Sequence, residues 1–326
     1  MIEYLENCNC NLCGSDDKSL VGRAKDYYNN FDGEYSYYKC NQCGFVYTNP
    51  RPKAEFIDKF YPDDAGYLTP KKVIPYTVKE RKVLNIYFNY QKSYLLNKLL
   101  FWPFYAVTIR KLKIRSVPTW VNKGEILDIG ASYGDYMFKV KQIGWKAKGI
   151  ELNSKSVRHA TEQLKLDVEN ILIEDFSSET KFDVVNMGMV MEHILEPNIV
   201  VKKVESLLKP NGTFIFSIPN YGGIESKIFG KYWYSLHLPM HINHFTPRTV
   251  KYLLKKNGFS KVKIYHQNDY NDFIRSLSNM LQDKPYLKVI HSFINSKFVR
   301  KLFVAPIVFI LSLFNLTSRM TVYCQK

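Results

Sequence analysis

The 326-residue chain is long enough for one large domain or two modest ones with a substantial core, and its 46% hydrophobic and 23% charged residues are ordinary for a globular protein, not a disordered one. A net charge of +16 asks for an anionic partner, whether nucleic acid, a phosphorylated small molecule or a membrane surface. The opening MIEYLENCNC lacks the basic and apolar regions of a secretory signal. A reducing cytoplasm is therefore expected, where clustered cysteines more often bind metal than pair.

Five of the six cysteines lie in the first 43 residues. Cys10-Asn-Leu-Cys13-Gly and Cys40-Asn-Gln-Cys43-Gly form C-x2-C-x26-C-x2-C. Two such knuckles can wrap four thiolates around one ion, so Cys10, Cys13, Cys40 and Cys43 are expected to hold one structural Zn2+ with no position open to water. Disulfides and an empty cluster are the alternatives, and Cys8 is spare. Residues Asp26–Tyr38 read as a hairpin or a substrate-facing loop. Phe45-Val-Tyr-Thr-Asn-Pro-Arg-Pro52 reads as an aromatic strand broken by two prolines.

Residues 53–121 form a second unit, helical, basic and aromatic from Pro70 onward. Between Lys79 and Arg115 nine Lys or Arg face one acid, Glu80. Tyr94–Ile109 is largely apolar but broken by Asn97, Lys98 and Pro103, too short and interrupted to span a bilayer.

The third unit, 122–326, opens with EILDIGASYGDYMFKVKQIGWKAKGIE over Glu125–Glu151. The stretch reads as strand, glycine turn, amphipathic helix, and a second strand tipped by an acid. In a parallel sheet, ligands bind where strands end, and an acid on the next strand tip accepts ribose hydroxyls. A dinucleotide fingerprint would need G-x-G-x-x-G. Here Ser132 interrupts the glycines, and Asp135 puts negative charge where a pyrophosphate would lie. A cofactor with a cationic sulfonium and an amino-acid tail suits the turn better. Farther on, strands are expected at Asp167–Ile173, Lys181–Val185, Thr213–Ile218, Ser260–His266 and Met320–Cys324. A helix at Ile199–Leu208 should end in a turn at Lys209–Gly212. Tyr221–Leu238 should be an irregular loop. A second helix should start with Thr246 as cap and Pro247 in its first turn. Residues 269–316 read as a helical insertion.

ILDIGASYG followed by GIE resembles the first two motifs of class I S-adenosylmethionine (SAM)-dependent methyltransferases, with Ser132 in place of the usual middle glycine. With the cysteine ribbon, Asn49-Pro-Arg-Pro52, Glu192-His193 and Pro219-Asn220, the chain is similar to the zinc-ribbon methyltransferases of sugar and surface-polysaccharide biosynthesis. The resemblance implies an α/β fold: a Rossmann-like class I sheet, its last strand antiparallel, with an N-terminal zinc ribbon and helical additions. It implies SAM bound by Asp128, Gly130, Ser132, Gly134, Glu151, Asp175 and Asn186, with Asp175 near the adenine amino group. It places Glu192 and His193 toward the methyl-transfer region.

A sugar hydroxyl, or a carbon beside a carbonyl, must lose a proton when methylated, and a histidine suits that task. His193 and His241 are the preferred bases. His244 is a third candidate, with helix capping as its structural alternative. Metal ligation by His237, His241 and His244 is the rival, weakened by a lack of nearby carboxylates in the sequence. The expected acceptor is a sugar, nucleotide-activated or lipid-linked. A catalytically silent scaffold and an RNA methyltransferase are the alternatives. Nucleic acid is not the expected partner: Asn186-Met-Gly-Met replaces the Asn/Asp-Pro-Pro-aromatic motif of exocyclic-amine enzymes, and Cys324 lies in a terminal strand. Two apolar stretches edged by Lys and Arg, Tyr94–Ile109 and Leu302–Leu316, either pack on the SAM domain or dock on the inner face of an anionic membrane.

Overall fold

The structure, a computed structural model, describes residues 2–29, 31–60, 70, 74–92, 95–121 and 124–326. Tyr94 lies outside the described residues.

The N-terminal unit pairs β1 (Leu5–Glu6) with β5 (Arg51–Pro52), and packs β2 (Lys18–Lys25), β3 (Glu34–Cys40) and β4 (Val46–Thr48) into an antiparallel sheet. Asp26–Tyr38 is therefore a hairpin arm, with Lys25 opposite Glu34. Two helices follow. Helix α1 (Val78–Tyr87) starts on a capping box, Thr77 accepting from the Glu80 amide while Glu80 accepts from that of Thr77. Helix α2 (Leu95–Ile114) contains Pro103 and no acid in its first turn.

The large sheet is built from β6 (Glu125–Ile129), β7 (Lys146–Ile150), β8 (Asp167–Glu169), β9 (Phe182–Gly188), β10 (Leu208–Pro219), β12 (Ser260–His266) and β13 (Arg319–Gln325), ordered β12-β13-β10-β9-β6-β7-β8. Only β13 runs against its neighbours, as expected. The central strands β6 and β9 are buried almost throughout, as strands covered on both faces must be. Helices α3 (Asp135–Lys141), α4 (Ser154–Glu162), α5 (Pro197–Leu207) and α7 (Pro247–Lys256) cover it, α7 capped by Thr246 with Pro247 in its first turn. The chain reverses its direction of sheet growth between β6 and β9, which lie side by side with Asp128 opposite Asn186.

Three expectations change. Lys209–Gly212 is not a turn but the start of β10, which pairs at Leu208 and again from Thr213 across a register shift. Lys209 holds it there by ion pairs to Glu125 (2.6 Å) and Asp183 (3.0 Å). Strand β8 stops at Glu169 rather than Ile173, because Asn170 turns its amide onto the Glu151 and Leu152 carbonyls. Residues 221–238 are ordered into α6 (Ile224–Phe229) and two 3-10 turns, pinned by the buried Trp233, whose indole donates to Ser318. The insertion is helical: α8 (Asn271–Asp283), α9 (Lys288–Asn295), α10 (Lys297–Val299), a π turn at Arg300–Val304 and α11 (Ala305–Leu313).

The short strand β11 (Asn243–His244) leaves the large domain to become the fourth strand of the N-terminal sheet, against β4. Cys10, Leu12, Phe45 and Tyr47 share one buried cluster with Leu127, Val185 and Phe214 of the large sheet. Arg51, buried, spans the same seam, bonding Glu6, Glu196, Asn11 and the Leu195 carbonyl.

Candidate active site

The glycine turn after β6 is held by conformation and close packing. Gly130 has φ +72° and Gly134 φ +86°, left-handed values that favour glycine. A Cβ on Gly130 would lie 2.4 Å from Val190 Cγ2. Ser132, where the resembling motif has glycine, also takes a left-handed φ of +48°. Its amide donates to Glu151 Oε2 at 2.9 Å, while Glu151 Oε1 accepts from the Asn153 amide. The strand-tip acid therefore braces the turn as well as facing outward from β7.

At the switch point Asn186 donates to Asp128 Oδ1 at 2.7 Å. Burial pushes the Asp128 carboxyl up to about 7. Asn186 Oδ1 is buried with no hydrogen-bond partner among the described residues. Above this pair lies a cavity of about 400 Å³. Asp128, Gly130, Ser132, Asp135, Asn186, Gly188 and Ser217 line it together with Ile114–Ser116 and Gln267. An acceptor with no donor among the described residues, at a cavity lined by the carboxyl groups of Asp128 and Asp135, suits a cationic ligand with an ammonium group. SAM fits that description; bound here, it would supply an activated methyl group, while the chain positions the acceptor.

Val190, which covers Gly130, leads into the 3-10 turn Met191–His193, so the glycine turn and this turn touch. The turn brings Glu192 beside His193 and His241, with ligand-capable atoms of all three within 4.8 Å of one another. This reverses the expectation that carboxylates are absent near the histidines. It also replaces the His237, His241 and His244 grouping: among the described residues the metal-capable set here is Glu192, His193 and His241. Glu192 is fully buried, and neither carboxyl oxygen has a hydrogen-bond partner among the described residues. Burial raises its carboxyl to about 8 and lowers His193 to about 4. The His193 ring meets the Met240 carbonyl at 3.0 Å, and His241 meets that of Ser235 at 2.8 Å. These contacts orient both imidazoles, which stand edge to face at 4.8 Å. Burial thus favours the uncharged form of all three side chains, a protonated carboxyl and two neutral imidazoles.

Of the other predicted site residues, Gly134 caps α3 and packs against Leu166 and Ala160. Asp175 lies in an exposed turn after β8 and does not line the cavity. His244 sits in β11, its ring 3.3 Å from the Thr48 hydroxyl and between Tyr37 and Tyr221, so the structure uses it at the seam between sheets. It does not cap the following helix; Thr246 does. Ser116, Ser217 and Gln267 were not anticipated. Ser217 was legible in principle, since a polar residue alternates with Phe216 and Ile218 near a strand's end. Ile114–Ser116 gave no such signal.

The four sulfurs of Cys10, Cys13, Cys40 and Cys43 lie within 4.8 Å of one another. Cys10–Cys43 are 3.6 Å apart and Cys13–Cys40 3.5 Å, close to the roughly 3.8 Å edge of a tetrahedron with Zn–S bonds of about 2.3 Å. Cys8 stands outside this set, its amide bonded to Asn49.

Residues 101–264 match the family model described as a methyltransferase domain. The chain is 28% identical over 128 residues to the ubiquinone biosynthesis O-methyltransferase of Bordetella avium (strain 197N), covering 37% of this chain and 53% of that protein. It is 30% identical over 112 residues to the Pasteurella multocida (strain Pm70) protein of the same name, covering 29% and 46%. The chain thus spans about half the length of the curated relatives it matches. Among solved structures, a SAM-dependent methyltransferase from Archaeoglobus fulgidus aligns with TM-score 0.46 and 17% identity, over 70% of this chain and 99% of that one. The family match spans the greater part of the helix that ends at the cavity, the glycine turn, the switch-point pair and the Glu192–His193 turn, and the chain belongs to the class I SAM-dependent methyltransferase domain family.

Proposed function

We propose that this chain moves the methyl group of SAM to a hydroxyl, or to a carbon beside a carbonyl, of a sugar carried on a nucleotide diphosphate or a lipid. The observation that carries the reading is the Glu192–His193–His241 group joined to the glycine turn through Val190. Acceptors of this kind must lose a proton, and a buried, neutral imidazole oriented by a carbonyl can take it while Glu192 holds or returns it. The sugar assignment is supported by the resemblance carried by the cysteine ribbon, Asn49–Pro52 and the motifs of the large domain. A second reading, O-methylation in ubiquinone biosynthesis, is favoured by the names of the curated relatives. The proton requirement is common to both. We also propose one structural Zn2+ on Cys10, Cys13, Cys40 and Cys43, a set that fits four-coordinate zinc in donor type and spacing.

Calorimetry with SAM tests the cofactor: binding is expected, and Asp128→Ala or Glu151→Ala should weaken it at least tenfold. No binding by folded, zinc-loaded protein would favour a silent scaffold. Mass spectrometry of surface glycans and of quinones from a deletion strain separates the acceptors, by which pool loses one methyl.

A further inference from the structure

The charge of this protein is not spread over it. Residues 81–124 contain nine Lys or Arg, residues 284–326 contain seven, and neither stretch contains an acid. Together they account for the whole net charge of +16, so the remainder of the chain is balanced. These stretches also contain α2 and α9–α11, and the fold brings them together: Arg110 on α2 donates to the carbonyl (2.9 Å) and hydroxyl (3.1 Å) of Ser312 on α11.

Both elements turn large apolar side chains outward. On α2, Trp102, Phe104 and Val107 are 58%, 73% and 65% exposed. Ile307, Ile310 and Leu313, at i, i+3 and i+6 of α11, are each more than half exposed, while Val308 and Ser312 face inward. Helix α11 is apolar all round, the composition of a helix that is covered on all sides, yet one face is bare. Half-exposed side chains of this size present on the order of 100 Å² each, so together they leave several hundred Å² of apolar surface bare, the scale at which exposed apolar surface marks an interaction site. Lys288, Lys297 and Lys301, interleaved with exposed Val289, Phe298 and Leu302, are themselves exposed and form no ion pair among the described residues. Among the described residues no helix is long and apolar enough to cross a membrane.

We infer that the α2/α9–α11 face docks on an anionic phospholipid surface, its apolar side chains in the interface and its lysines against the headgroups. Charge complementarity selects this occupant over a second copy: two such faces would bring like charges together. Ile114, the last residue of α2, lines the cavity with Arg115 and Ser116 just after it, so docking would set the cavity beside the membrane. The docking itself does not depend on which acceptor is methylated.

Flotation of the full chain with phosphatidylglycerol/phosphatidylcholine vesicles tests it. Co-migration is expected with the anionic vesicles, weakened by 0.5 M salt and lost with pure phosphatidylcholine. The double variant Lys297→Ser/Lys301→Ser should lower partitioning roughly 25-fold, two interfacial charges at about fivefold each. Phe104→Ser/Ile307→Ser should weaken binding in a way salt does not explain, with SAM affinity unchanged as the control for folding. Failure to float at low salt, or equal binding to neutral vesicles, overturns the inference. So does light scattering that shows a dimer dispersed by Phe104→Ser/Ile307→Ser, which would assign the face to a second copy.

Discussion

Glu192→Gln is the most informative single change, because linkage fixes both its sign and its size. In the fold Glu192 has a carboxyl raised from 4.5 to about 8 by burial. A raised acid takes up a proton on folding, a contribution complete below the unfolded value and lost as pH rises through the folded one. Between pH of about 4.5 and 8 that loss runs at about 1.4 kcal/mol per pH unit. Glutamine keeps the shape of the neutral acid and titrates nowhere. The stability of Glu192→Gln relative to wild type should therefore improve with pH, by roughly 2–3 kcal/mol from about pH 5.5 to about pH 7.5. The expectation does not depend on whether the proton rests on Glu192 or on a neighbouring imidazole, since linkage counts protons held by the group. Urea unfolding of both proteins at four pH values measures it. Two curves separated by a constant would refute the reasoning, showing Glu192 ionised and the group without its proton. If that proton also serves methyl transfer, kcat should fall at least a hundredfold with SAM affinity unchanged.

At the glycine turn, Gly130→Ala adds a Cβ 2.4 Å from Val190 Cγ2 at a φ of +72°; a loss of roughly 1–3 kcal/mol in urea unfolding and more than tenfold in SAM affinity by calorimetry is expected. Ser132→Gly, which relieves a left-handed serine, should bind SAM as well as wild type. At the cysteine cluster, elemental analysis should find about one zinc per chain, lost in Cys40→Ser together with ribbon order and kept in Cys8→Ser; the opposite pattern would move the site.

Much of the large domain was legible because its information is local. Glu125–Glu151 specifies strand, turn and helix through apolar runs and two glycines, and Cys10–Cys43 pairs its knuckles through spacing alone. Asp128 and Asn186, 58 residues apart, could each be named by motif. Their hydrogen bond, and the orphaned Asn186 oxygen, required the register of β6 on β9. The boundary at residue 52 follows the end of Asn49-Pro-Arg-Pro52, yet the N-terminal sheet is completed by Asn243–His244, a pairing between strands nearly 200 residues apart that leaves no periodicity in either segment. That pairing gives His244 a place at a seam instead of at the cavity. Glu192 could be read as a family motif residue. Its character as a buried acid beside two imidazoles was decided only when the turn after β9 met the loop carrying His241, because desolvation is set by what surrounds a group in space and not by its neighbours along the chain.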